Sequence, residues 1–195
     1  MYKVIKRIFS KTRDKSVVAE AVKKNWIDEQ EYKEITGEEY IPTIEDAKTA
    51  KLAEIKKDCE AYINAGSDVT YADGSVEHFT YTLADQSNIS EMFTAIVAGA
   101  TEFPYHADGK ICKIYSKEQI VIVYMSLSMF KAEATTRHNS LKAQINAMTD
   151  IEAVKAVSFD KTELTGEFLD NYNAMTASAK TQLEAIVANL PTNAE

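Results

Sequence analysis

Residues 68–81 read DVTYADGSVEHFTY, and they decide between an all-helical chain and a mixed one. Val, Thr, Tyr and Phe, which suit a pleated and half-buried surface, crowd around Asp73-Gly74. Asp-Gly between two such runs predicts a β-hairpin whose two turn positions both take positive φ. The pattern returns in FPYHADGKICKIY at 103–115, where His106-Ala107-Asp108-Gly109 echoes Tyr71-Ala72-Asp73-Gly74. A two-residue loop at 108–109 pairs Tyr105 with Cys112 and Phe103 with Ile114. That register puts those four residues on one apolar face and His106, Ile111 and Lys113 on the other. The shared design predicts that the two hairpins join in one small antiparallel sheet.

Helical spacing surrounds these hairpins. SVVAEAVKK at 16–24 places Val17, Val18, Ala21 and Val22 at helical intervals, with Ser16 as N-cap and Asn25 as stop. Asp28 and Glu31 form a capping box that opens a second helix, and Gly37 closes it. The expected core of this helical hairpin, residues 1–42, is Val18, Val22, Trp26, Ile27, Tyr32 and Ile35. Ile41-Pro42-Thr43 reads as a linker. From Thr43 to about Ala65 a long helix carries the stripe Leu52, Ile55, Cys59, Tyr62 and Ile63, with Thr43 and Asp46 as its start signal and Gly66 as its stop. A short helix follows near 85–98.

The longest helix is expected at 117–148, with Ile120, Val123, Tyr124, Leu127, Phe130, Ala134, Leu141, Ile145 and Met148 in step and His138 bridging the gap. Such a stripe is either the spine of one domain or a seam between chains. Helices near 150–157 and 174–190 complete a second domain, 43–190, and 191–195 form a loose tail. The fold class is α+β and mainly helical.

The chain has 195 residues, enough for one core with a smaller appendage, and six Gly and three Pro favour long elements over many turns. Net charge is −8, but residues 1–24 hold eight Lys or Arg against two acids; taking that +6 from −8 leaves −14 on the rest. An acidic body repels phosphate, which argues against nucleic acid as a partner. The basic start reads first as a solvated helix face, and second as a contact for an acidic protein or nucleic acid. Two distant cysteines, Cys59 and Cys112, point to a reducing compartment with both as small buried hydrophobes. No stretch approaches the roughly 20 apolar residues of a membrane span, and no signal-peptide run opens the chain, so synthesis in the cytoplasm is expected.

Chemistry finds little footing in this pattern. His78, His106, His138, Cys59, Cys112, Asp73 and Asp108 form the pool of metal ligands, but no zinc spacing is present. Cys112 would need His106 beside it to act as a nucleophile, and the predicted register separates them. No phosphate-binding or hydrolase motif occurs. The reading is a protein with no catalytic residue, metal or cofactor. The candidates for protein contact are Trp26 (otherwise the core of its hairpin), Tyr40, His106 and His138, the last a half-buried helix histidine or, in a symmetric bundle, a pH-sensitive seam residue.

Two stretches carry a resemblance. VIKRIFSK and AVKKNWIDEQEYKEITGEEY, within residues 1–40, resemble the small XkdX family of phage and prophage proteins. AKLAEIKKDCEAYINAG, DVTYADGSVEHFTYTLADQSNI, GATEFPYHADGKICKIYS and ELTGEFLDNYNAM, within 47–187, resemble a domain of unknown function found in phage tail proteins. The resemblance implies a structural protein of the tail or baseplate region, in the virion, that works through contacts with other tail or fibre proteins. It also implies a homo-oligomer, with the 117–148 stripe as a trimer seam. The alternatives are a fibre-assembly chaperone outside the virion, or a phage effector that binds a host protein or small molecule.

Overall fold

The computed structural model describes residues 1–190; the predicted loose tail, 191–195, lies outside them. The chain is mainly helical with two β-hairpins, as its patterning predicts.

Three helices, not two, build the N-terminal unit: α1 (Tyr2–Thr12), α2 (Lys15–Lys23) and α3 (Glu29–Thr36). The added helix α1 supplies Ile5 and Phe9, which are buried with Val18, Ala21, Ile27, Tyr32 and Ile35. Trp26 was expected in this core but is 46% exposed. The reason is the turn before it. Asn25 takes φ 54, and the amides of Trp26 and Ile27 both donate to the Ala21 carbonyl, at 2.9 and 3.4 Å. That reversal turns Ile27 inward and Trp26 outward, and Ile5 and Phe9 fill the space. Asp14, rather than Ser16, caps α2, its carboxylate accepting from the Ser16 amide at 2.9 Å. The Asp28–Glu31 capping box and the left-handed Gly37 stand as predicted.

The larger unit begins with α4 (Ile44–Ala65), opened by the reciprocal Thr43–Asp46 box. β1 (Ser67–Thr70) and β2 (Val76–Phe79) follow, then α5 (Leu83–Val97), β3 (Glu102–Tyr105) and β4 (Lys113–Ser116). α6 (Lys117–Ala147), α7 (Ile151–Ala156) and α8 (Gly166–Ala188) complete it, α8 starting earlier than the expected 174. α6 is the spine. Its buried Ile120, Val123, Leu127, Ala134, Leu141 and Ile145 belong to one core with Ile55, Cys59 and Ile63 of α4 and Ile89 and Ile96 of α5. Of the two readings left open for this stripe, the structure shows the intrachain one, since α4, α5 and α8 pack on α6. α8 contributes no fully buried residue and lies on α6 through a half-buried line that includes Phe168 and Tyr172.

The hairpins do not form one sheet. Among the described residues β1 pairs only with β2, and β3 only with β4, both antiparallel. They meet instead through the loop of the second hairpin, whose Asp108 amide donates to the His78 carbonyl at 2.9 Å, and through Phe79 stacked on Tyr105. The first turn also differs from prediction. Gly74 has φ 82 but Asp73 does not have positive φ. The Tyr71 amide bonds to Ser75 O, and the Gly74 amide to Tyr71 O, both at 2.9 Å, the pattern of a three-residue loop closed by a left-handed glycine.

In the second hairpin Phe103 pairs with Tyr115 and Tyr105 with Lys113, a register one residue away from the expected one. A slip of one residue exchanges the faces. Tyr115 is therefore buried at 1%, Ile114 is exposed, and Cys112 is exposed rather than in the core. The cause is the longer loop, which turns at 107–110 through a Lys110-to-Ala107 bond and buries Ala107 against the first hairpin before pairing resumes.

Candidate functional site

Polar side chains converge where the two hairpins and the end of α4 meet. Glu77 lies on the same strand face as buried Phe79, two residues away, and its carboxylate is mostly covered, with 18% side-chain exposure. One oxygen accepts from the hydroxyls of Tyr71 and Tyr115, each at 3.0 Å, and the other from Lys113 Nζ at 2.6 Å. Burial pushes the Glu77 carboxyl up, but Lys113 and the two hydroxyls outweigh it, so the group sits below the usual range. Burial, reinforced by the neighbouring Glu77 charge, pushes both tyrosine hydroxyls above theirs.

His78 projects from the other face of β2. Its Nδ1 is 2.8 Å from Asp68 Oδ1, its Nε2 2.9 Å from the Ala65 carbonyl, and Asp108 Oδ2 lies 3.7 Å from Nε2. Both nitrogens face acceptors, which favours the doubly protonated ring. The Asp68 contact, then the Ala65 carbonyl, raise its pKa against a smaller opposing effect of burial. The stabilisation is therefore fully present below the ordinary value of about 6.5 and is lost as pH rises through the higher folded value. His78→Ala should lower the urea midpoint more at about pH 6 than at about pH 8. A deficit that does not change with pH removes this role for the ring.

A second polar anchor lies at the far end of α6. Arg137 donates through Nε to Phe159 O at 2.6 Å and through Nη2 to Thr162 O at 2.7 Å, with its guanidinium 5.9 Å from the Phe159 ring centre. It pins the segment between α7 and α8. Arg137→Lys keeps the charge but not the planar fork, and is expected to cost about 1–2 kcal/mol. Thermal unfolding of the two proteins measures it; an unchanged midpoint counts against the anchor.

The predicted contact residues are scattered. Trp26 is exposed, with Lys24 Nζ 5.0 Å from its ring centre. Tyr40 is half-buried, edge-on to Tyr32 at 5.2 Å, and its hydroxyl is pushed up by burial and by Asp46. His106 is exposed and stacks on Tyr105. His138 is half-buried on α6, one position from Arg137. Nothing brings these four together. Glu77, Lys113 and Arg137 carry the polar architecture and were not singled out by pattern. The available signal was an acid sharing a strand face with Phe79. Among the described residues, no group of three or more His, Cys, Asp or Glu is placed to hold a metal ion, and no helix is long and apolar enough to cross a membrane.

No curated protein and no solved structure matches the chain. Residues 2–40, which coincide with the three-helix unit and its own core, match the family described as Phage uncharacterised protein (Phage_XkdX), so the chain is phage-associated. A second match, to Domain of unknown function (DUF4376), covers residues 46–160, from the first turn of α4 to the segment held by Arg137, and ends before α8. The chain thus belongs to the DUF4376 family, and it carries an XkdX unit ahead of the family domain.

Proposed function

We propose that this protein is a structural component of the tail or baseplate region of a phage or prophage particle, acting through protein contacts near the tail fibre. The observation that carries the reading is the coincidence of the phage-family match with a self-contained three-helix unit. Such a unit, with its own core and tied to the body at Lys23–Asp46 (3.0 Å), serves as an adaptor. Its outer surface offers Trp26 and a cationic helix face to a partner.

Mass spectrometry of particles purified from the parent phage or the induced prophage is the test. A structural part is present at a fixed copy number relative to the other tail proteins. Absence from particles, with the protein abundant in infected or induced cells, overturns the reading in favour of an assembly chaperone or an effector.

A further inference from the structure

α1 presents two apolar stripes, and only one of them is used. Tyr2, Ile5 and Phe9 point into the core of the N-terminal unit. Met1, Val4 and Ile8 are 63%, 56% and 36% exposed. Beside that outer stripe run Lys3, Arg7 and Lys11, spaced by four so that they share one face, and none forms an ion pair among the described residues. Elsewhere in the unit Lys15 and Lys23 do find carboxylates, Glu38 at 2.5 Å and Asp46 at 3.0 Å. A solvated face needs no aliphatic ridge, and a ridge edged by unpaired cations suits an acidic protein surface with apolar patches. Three aliphatic side chains without an outward aromatic are a poor anchor for a lipid surface.

The rest of the chain is acidic, since residues 25–195 carry −14 against +6 on residues 1–24. Asp58, Glu167 and Asp170 are exposed on α4 and α8 without an ion pair among the described residues, and Leu169 and Met175 are exposed on α8 as well. We propose that the outer face of α1 docks onto the acidic helical body of a second copy of this chain. The contact joins two different surfaces, so copies link head to tail into a ring or an open chain. This stands independently of whether the protein enters the virion.

Sedimentation velocity of the full chain, over a range of protein concentration, tests it at about 50 mM and about 500 mM NaCl, on either side of the point where the screening length is ~10 Å. The expected result is concentration-dependent association at low salt that weakens about tenfold or more at high salt. The variant Lys3→Glu/Arg7→Glu/Lys11→Glu, shown by circular dichroism to keep its helix content, should abolish it. A monomer at every concentration overturns the proposal, whether or not the protein binds anionic vesicles or DNA. So does association that survives the charge reversal.

Discussion

Gly66→Ala is expected to be the most damaging single-methyl substitution in the chain. Gly66 ends α4 at φ 76, ψ −160, and the next residue already belongs to β1, with Ser67 paired to Phe79. That backbone region is essentially open only to glycine and costs another residue about 1–3 kcal/mol. The added Cβ would also lie 1.8 Å from the Phe79 carbonyl oxygen and 2.7 Å from Thr80 Cα. These are backbone atoms of the strand that carries Glu77 and Phe79, so no side-chain rotation relieves the clash. Overpacking adds about 1–3 kcal/mol, for a total of about 2–6 kcal/mol, a large part of the typical stability of such a domain. Gly74→Ala is the control: φ is 82 but none of the described residues lies within 4 Å of the new Cβ, so only the backbone cost of about 1–2 kcal/mol applies. Urea unfolding of both variants measures the difference. If Gly66→Ala is no worse than Gly74→Ala, the close approach does not constrain this position.

How much of this was legible in advance depended on whether the signal was local. Capping boxes at Asp28–Glu31 and Thr43–Asp46, the Gly37 and Gly66 stops, and the start of α6 at 117 were readable because each is fixed by residues within a turn of one another. The basic start reads as a solvated helix face, and its cations hide the other side of that helix, where Ile5 and Phe9 recur at helical spacing and enter the core. Strand register was misread because it is settled by a distant contact. The bond from Asp108 to His78 and the burial of Ala107 lengthen the second loop, and Tyr115 takes the core place assigned to Cys112 and Ile114. Trp26 shows the same limit, since its outward position follows from one left-handed residue, Asn25, and from a helix that fills the space behind it. For function, the specific signal lay in the match of residues 2–40; the scattered histidines carried none.

Glu77→Ala is expected to cost about 3 kcal/mol and to change the shape of the stability profile with pH. The substitution leaves the hydroxyls of Tyr71 and Tyr115 without their carboxylate at a mostly buried position. Orphaning a buried hydroxyl costs about 1–3 kcal/mol, and the Lys113 contact, half-exposed on its lysine side, adds little. Because the folded carboxyl sits below its ordinary range, the part of its contribution that comes from ionisation is complete above the unfolded value of about 4.3 and disappears as pH falls through the lower folded value. The gap between wild type and Glu77→Ala should therefore be constant near neutrality and narrow in acid, where the neutral carboxyl still accepts from the hydroxyls. Tyr115→Phe removes one of the two hydroxyls while keeping the ring that packs against Phe79. In a double-mutant cycle the pair should couple by about 1–2 kcal/mol at neutral pH and much less in acid. Glu77 is the link through which Tyr71 in the first turn holds Tyr115 and Lys113 of β4, so it stands in for the ladder that the two separate sheets lack. Additive single effects at neutral pH would mean that the hairpins are held together by Phe79, Tyr105 and the Asp108 loop alone.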